Sequence, residues 1–137
     1  MAGSYEVLEH TADVGLRLHG DSPEEVFEAA ARGLAELEGS WFPGEGEERV
    51  IEVRAGDLPG LLVTWVDELL YFRDAEDAVF GGFAIDGVGD GRLRARVRTG
   101  SRGDRTLEAT GVKAATYHGL RFERRNGGWA ADVYLDV

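Results

Sequence analysis

The chain has 137 residues, no cysteine, and 26 acidic against 15 basic side chains, for a formal net charge of −11. That length suits one domain spanning residues 1–137, and the lack of thiols excludes disulfide frameworks, cysteine–zinc sites and cysteine nucleophiles. The net charge excludes nucleic-acid binding by the surface as a whole, because phosphates would repel it.

In chain order, the opening MAGSYEVLEH has neither a basic nor an apolar signal region. Residues 5–8 and 14–19 read as strands around a short loop. Ser22-Pro23-Glu24-Glu25 reads as a helix start, with Ser22 as N-cap and Glu25 closing a capping box. Val26, Phe27, Ala30, Leu34 and Leu37 then recur at helical spacing, and Gly39 ends the run. After a loop at 44–48 and a strand at 49–55, a second helix opens at Asp57, with Leu58, Leu61, Leu62, Trp65, Leu69 and Phe72 along one face. Each helix is expected to bury one stripe. Thr64, Asp67 and Glu68 interrupt the longest apolar stretch, so no membrane span is expected, and the chain reads as soluble and cytoplasmic. Strands follow at 83–88, 92–99, 107–116, 121–125 and 129–137, with hairpin signals at 87–91 and at Asn126-Gly127-Gly128. The order predicts an α+β fold: two amphipathic helices packed on a mixed, largely antiparallel sheet.

Charge is unevenly distributed. Residues 91–125 carry ten basic side chains against three acidic ones, a local charge of +7, and the rest carries −18. Fourteen of the basic residues are arginine, and Lys113 is the single lysine. Arg92, Arg94, Arg96 and Arg98 alternate with Leu93, Ala95 and Val97. This row reads either as an RNA-facing patch or as the solvated face of an edge strand; the lack of interleaved aromatics favours the second.

Glu9-His10-Thr11-Ala12-Asp13 puts two carboxylates and an imidazole at a strand junction. Alone, a polar turn accounts for it. The chain ends on Asp136-Val137 directly after an alternating strand. Were that strand central, its side-chain and terminal carboxylates would be held together, and Asp13 would join them if its strand lay nearby. Such oxygen donors suit Ca²⁺ or Mg²⁺ rather than Zn²⁺ or Cu²⁺, and they need a cation, for which Lys113 is the alternative. Lys113 to His118 gathers the Lys, a Tyr and a His, which ordinary packing explains better than proton transfer. Walker, dinucleotide, nucleophile-elbow and H-E-x-x-H patterns are missing.

Tyr5 to Gly15 (YEVLEHTADVG), LLVTWVDELL at 61–70, VKAATYH at 112–118 and the ending WAADVYLDV together resemble the archease family over the whole length and in order. The resemblance implies a non-catalytic accessory protein of the GTP-dependent RNA ligase that joins 2′,3′-cyclic-phosphate or 3′-phosphate ends to 5′-hydroxyls, as in tRNA splicing and RNA repair. It implies that this accessory protein promotes ligase guanylylation and turnover. The resemblance implies a divalent cation, Ca²⁺ first and Mg²⁺ or Mn²⁺ next, on Asp13, Asp136 and the terminal carboxylate of Val137. Glu9, His10, Lys113 and His118 are its implied functional neighbours. The expected partner is that ligase, with RNA touched indirectly or at most through Arg92, Arg94, Arg96 and Arg98. Two rivals differ in class: a free-standing metal-dependent phosphoester hydrolase using Asp13, Asp136 and His10, and a chaperone-like module with an exposed apolar patch.

Overall fold

The computed structural model describes residues 3–9, 13–107 and 111–137, Glu9 by its backbone only. In chain order the elements are β1 (Ser4–Glu9), β2 (Asp13–Gly20), α1 (Pro23–Leu37), β3 (Glu47–Arg54), α2 (Leu58–Glu76), β4 (Ala78–Gly89), β5 (Arg92–Ser101), β6 (Ala114–Arg125) and β7 (Gly128–Asp136).

Local chemistry sets the helix ends. The Ser22 hydroxyl accepts the Glu25 N–H, while the Glu25 carboxylate takes the Asp21 N–H rather than that of the cap residue. At the other end the Ser40 N–H reaches the Ala35 carbonyl (2.8 Å) and the Gly39 N–H reaches that of Glu36 (3.1 Å). This double closure needs the positive φ of Gly39, +68°. Asp57 caps α2 by accepting the Gly60 N–H at 2.8 Å.

The α+β order holds, with two helices on antiparallel sheets, but the strands divide into two sheets. One has the order β1-β2-β7-β6 and the other β3-β5-β4, and every ladder is antiparallel. Both helices are shared between them: α1 packs on β2 and β4, and α2 on β6 and all three strands of the smaller sheet. This corrects the expectation of one buried stripe per helix. In α1, Val26, Phe27, Ala29, Ala30, Ala31, Leu34 and Ala35 are all buried, and α2 buries Leu61, Leu62, Val63, Trp65, Val66, Leu69, Leu70 and Phe72. A helix between two sheets needs apolar side chains on two faces.

Both hairpins at the chain's glycine signals are two-residue turns with left-handed backbone at both positions, Asp90-Gly91 and Asn126-Gly127. The strand expected at 107–116 begins only at Ala114, as Leu107 and residues 111–113 are not extended into a ladder. It then runs on to Arg125 as one strand. Between Thr116, opposite Tyr134, and Arg121, opposite Asp132, four residues of β6 face one of β7. Tyr117-His118-Gly119-Leu120 therefore bulges out of the ladder as a tongue. The Asp67 carboxylate of α2 accepts the Ala115 N–H at 2.9 Å, covering a backbone donor of this edge strand.

Candidate functional site

The larger sheet places the candidate residues through its register. β7 is central, between β2 and β6, and Asp13 stands directly opposite Asp136. Direct partners in an antiparallel pair share a face, with Cβ atoms about 4.5–5.5 Å apart. On β2 and β7 the inner face carries Leu16, Leu18, Ala131, Val133 and Leu135, all fully buried. The period of two therefore puts Asp13, Gly15 and Arg17 with Asp132, Tyr134 and Asp136 on the outer face. The expected juxtaposition of Asp13 with the C-terminal strand is present, and Val137 follows one residue past the strand end. Asp13 Oδ1 is buried and finds no hydrogen-bond donor among the described residues.

The other candidates stand as follows. Glu9 ends β1, opposite Val14. His10 lies outside the described residues. Lys113 precedes β6 and donates its backbone N–H to the Asp136 carbonyl at 2.8 Å, next to the ladder pair of Ala114 with Asp136. Its ammonium makes no ion pair among the described residues, so the contact by which Lys113 ties the site is that of its backbone. His118 is on the exposed tongue, its N–H on the Thr116 hydroxyl at 3.2 Å.

Two side-chain carboxylates thus meet at this sheet end, and no group of three His, Asp or Glu side chains gathers among the described residues. The third donor that the family resemblance implies, the terminal carboxylate of Val137, follows one residue past the end of β7. This all-oxygen set fits a hard divalent cation, and the orphaned Asp13 Oδ1 is the atom a cation would satisfy, because a buried carboxylate oxygen without a partner is costly.

Two positions along the same face, Tyr134 stands opposite Gly15, and two further on, Asp132 stands opposite Arg17 and Arg121. Asp132 is 7% exposed. It accepts from Arg17 Nε at 3.0 Å and from Arg121 Nε at 3.2 Å. Burial, the largest single influence, works to raise its pKa, but the hydrogen bonds and the charges of the two guanidinium groups together outweigh it and hold the carboxylate below its usual value.

The arginine row has a different setting from the one expected. β5 is the central strand of the smaller sheet, not an edge, so its alternation marks an outer face over the buried Leu93, Ala95 and Val97. Arg96 pairs with Asp86 (3.0 Å) and Glu48 (3.6 Å), Arg94 lies 3.9 Å from Glu52, and Arg98 donates to the Gly46 carbonyl. Arg96 and Arg98 are thus engaged by neighbours, whereas Arg94 is only at the edge of ion-pair distance and Arg92 makes no ion pair among the described residues.

Sequence reading missed Asp67, Tyr134, Gly15, Gly119 and the Arg17–Asp132–Arg121 trio. The alternation in DVYLD signals that residues 132, 134 and 136 share a face. What they face is a matter of register and has no local signal.

The family model of the Archease protein family matches residues 5–137. Archeases of Methanosarcina mazei and Pyrococcus furiosus are 34% and 37% identical to the chain, covering 97% of it and 95% and 98% of their own lengths. The solution structure of protein 1598 of Methanobacterium thermoautotrophicum superposes with a TM-score of 0.80 at 32% identity, over 98% of this chain and 99% of that one. A crystal structure from Thermotoga maritima, described as "an archease, possible chaperone", gives 0.64 at 26% identity over 96% of each chain.

Proposed function

The chain belongs to the archease family, and on that premise we propose that it is a non-catalytic activator of a GTP-dependent RNA-splicing ligase, acting through a cation held by Asp13, Asp136 and the terminal carboxylate of Val137. The observation that carries this reading is the opposition of Asp13 and Asp136 across a central ladder, with one Asp13 oxygen buried and unpartnered. A hard divalent ion bound there supplies the positive charge that lets clustered carboxylates stay ionised side by side. The chain's own part is to hold those oxygens rigidly at a sheet end: β2 and β6 flank β7, and the Lys113 N–H locks the Asp136 backbone. Nucleotidyl transfer depends on positioning and charge neutralisation, which a partner presenting such an end can improve.

The test is multiple-turnover ligation by the cognate ligase. The wild-type chain is expected to stimulate turnover, the chain alone to ligate nothing, and Asp136→Ala to leave less than about a tenth of the stimulation while staying folded. Unchanged turnover with the wild-type chain, across Ca²⁺, Mg²⁺ and Mn²⁺, overturns the activator reading. Phosphoester turnover without any partner identifies a hydrolase instead.

The charge of −18 outside residues 91–125 suits a basic, RNA-binding ligase. Raising salt from 0.05 to 0.5 M is therefore expected to slow association about tenfold or more, read by stopped-flow or surface binding. A salt-insensitive on-rate argues against electrostatic docking. The chaperone-like alternative, in keeping with the Thermotoga maritima neighbour described as a possible chaperone, would draw on large exposed apolar side chains, which among the described residues are Val7, Val50, Tyr71, Tyr117 and Val137.

A further inference from the structure

The ring of Tyr134 fills a slot made of two glycines. A Cβ built on Gly15, its direct partner on β2, would lie 2.7 Å from ring carbon Cε1 and 2.9 Å from Cδ1. A Cβ on Gly119, in the β6 tongue, would lie 2.8 Å from Cε2 and 2.9 Å from Cδ2. Opposite edges of one ring are therefore pressed against the backbones of both strands that flank β7. No alanine fits either place without moving the ring. Gly119 has φ +71°, whereas Gly15 does not occupy the left-handed region, so at Gly15 a side chain is opposed mainly by the ring, with Leu8 Cβ at 3.2 Å as the next contact.

The slot is the same-face neighbour of the candidate cation site. Asp13 precedes Gly15 by two residues and Asp136 follows Tyr134 by two. The ring thus sets how closely β2 and the tongue of β6 approach β7 one register step from the opposed carboxylates.

We propose that Tyr134, seated between Gly15 and Gly119, is a positioning residue that holds Asp13 and Asp136 at the separation a shared divalent cation requires. This rests on the cation reading given above. The ring makes no ligand bond. It acts by fixing the backbones that carry the ligands, in the way outer-shell groups tune a metal site.

The test is direct cation binding by the full chain, read by calorimetry with Ca²⁺ and by Tb³⁺ luminescence, beside thermal unfolding in chelator. Gly15→Ala is expected to weaken Ca²⁺ binding about tenfold or more, and Tyr134→Leu to do the same if Gly15→Ala does not fold. Tyr134→Phe keeps the ring and is expected to bind within about threefold of wild type. In Gly15→Ala/Tyr134→Leu the added Cβ meets no ring, so the double variant should bind no worse than Tyr134→Leu alone. A purely structural role would lower the unfolding temperature and leave the affinity of the folded variants unchanged, and that result overturns the proposal. Wild-type chain that binds no Ca²⁺, Mg²⁺ or Mn²⁺, indistinguishable from Asp136→Asn, sinks the cation reading and the proposal with it. Normal wild-type binding with undiminished binding by Gly15→Ala or Tyr134→Leu sinks the proposal alone.

Discussion

Replacing Trp65 by alanine is expected to destabilise the fold by about 4 kcal/mol, which lowers the melting temperature by roughly 15 °C for a chain of this size. Trp65 is fully buried and heads the large side chains that are. It projects from α2, which packs on strands of both sheets, so the space it leaves is hemmed in on every side and cannot collapse easily. Its indole Nε1 also donates to the Phe27 carbonyl of α1 at 2.9 Å, a buried link between the two helices. Alanine removes the ring and orphans that contact together. Trp65→Phe keeps most of the volume and loses the hydrogen bond, so about 1–2 kcal/mol is expected. Urea unfolding of the three proteins measures both. A loss below about 1.5 kcal/mol for Trp65→Ala would mean that the helices are not held between the sheets as described.

The second large effect is expected at Asp132. Asp132→Asn removes the one carboxylate on which Arg17 and Arg121 converge and leaves their charges facing each other across β7. Removing one partner from a fully buried pair costs about 3–5 kcal/mol; here the arginine side chains are 41% and 27% exposed and water takes up part of that, so about 2 kcal/mol is expected near neutrality. The pH dependence has a defined sign. Asp132 is held below its unfolded value, so its contribution is fully present above the unfolded carboxylate range and disappears as pH falls through the lower folded value. The stability gap between wild type and Asp132→Asn should be constant from about pH 5 to 8 and close below about pH 4. Denaturant midpoints at pH 7 and pH 3 decide it. A gap that persists unchanged at pH 3 would show that packing, not ionisation, carries the Asp132 contribution.

Local chemistry made much of the fold readable. Ser22 caps the first helix as expected, the second helix opens at Asp57 as expected, and the Asn126-Gly127 turn takes the backbone its residues favour. Turns and caps are decided by side chains within a few residues, so one sequence carries them. The helix expectations hold in position and fall short in breadth: between Leu61 and Phe72 every residue is buried except the stripe Thr64, Asp67, Glu68 and Tyr71, a face wider than one apolar row. The strand expected at 107–116 is present at 114–116 and not at Leu107 or 111–113, residues 108–110 lying outside the described residues, and the reason is different. The alternation over 107–116 resembles a strand, yet pairing depends on a partner, and β6 meets β7 only from Ala114 onward.

By itself, the sequence determined the helix starts and stops, the hairpin turns, the alternation that puts Asp132, Tyr134 and Asp136 on one face, and the motifs that mark the family. All of these are interactions over a few residues, or periodicities of a single strand or helix. The tertiary structure alone decided that the strands form two sheets around the helices, that Asp13 faces Asp136, and that Tyr134 lies between Gly15 and Gly119. The facing of Asp13 with Asp136 and of Gly15 with Tyr134 turns on strand register between segments more than a hundred residues apart. A slip of one residue would keep every local preference and turn the carboxylates onto the opposite face. Burial of the inner face on the two helices is what forbids that slip.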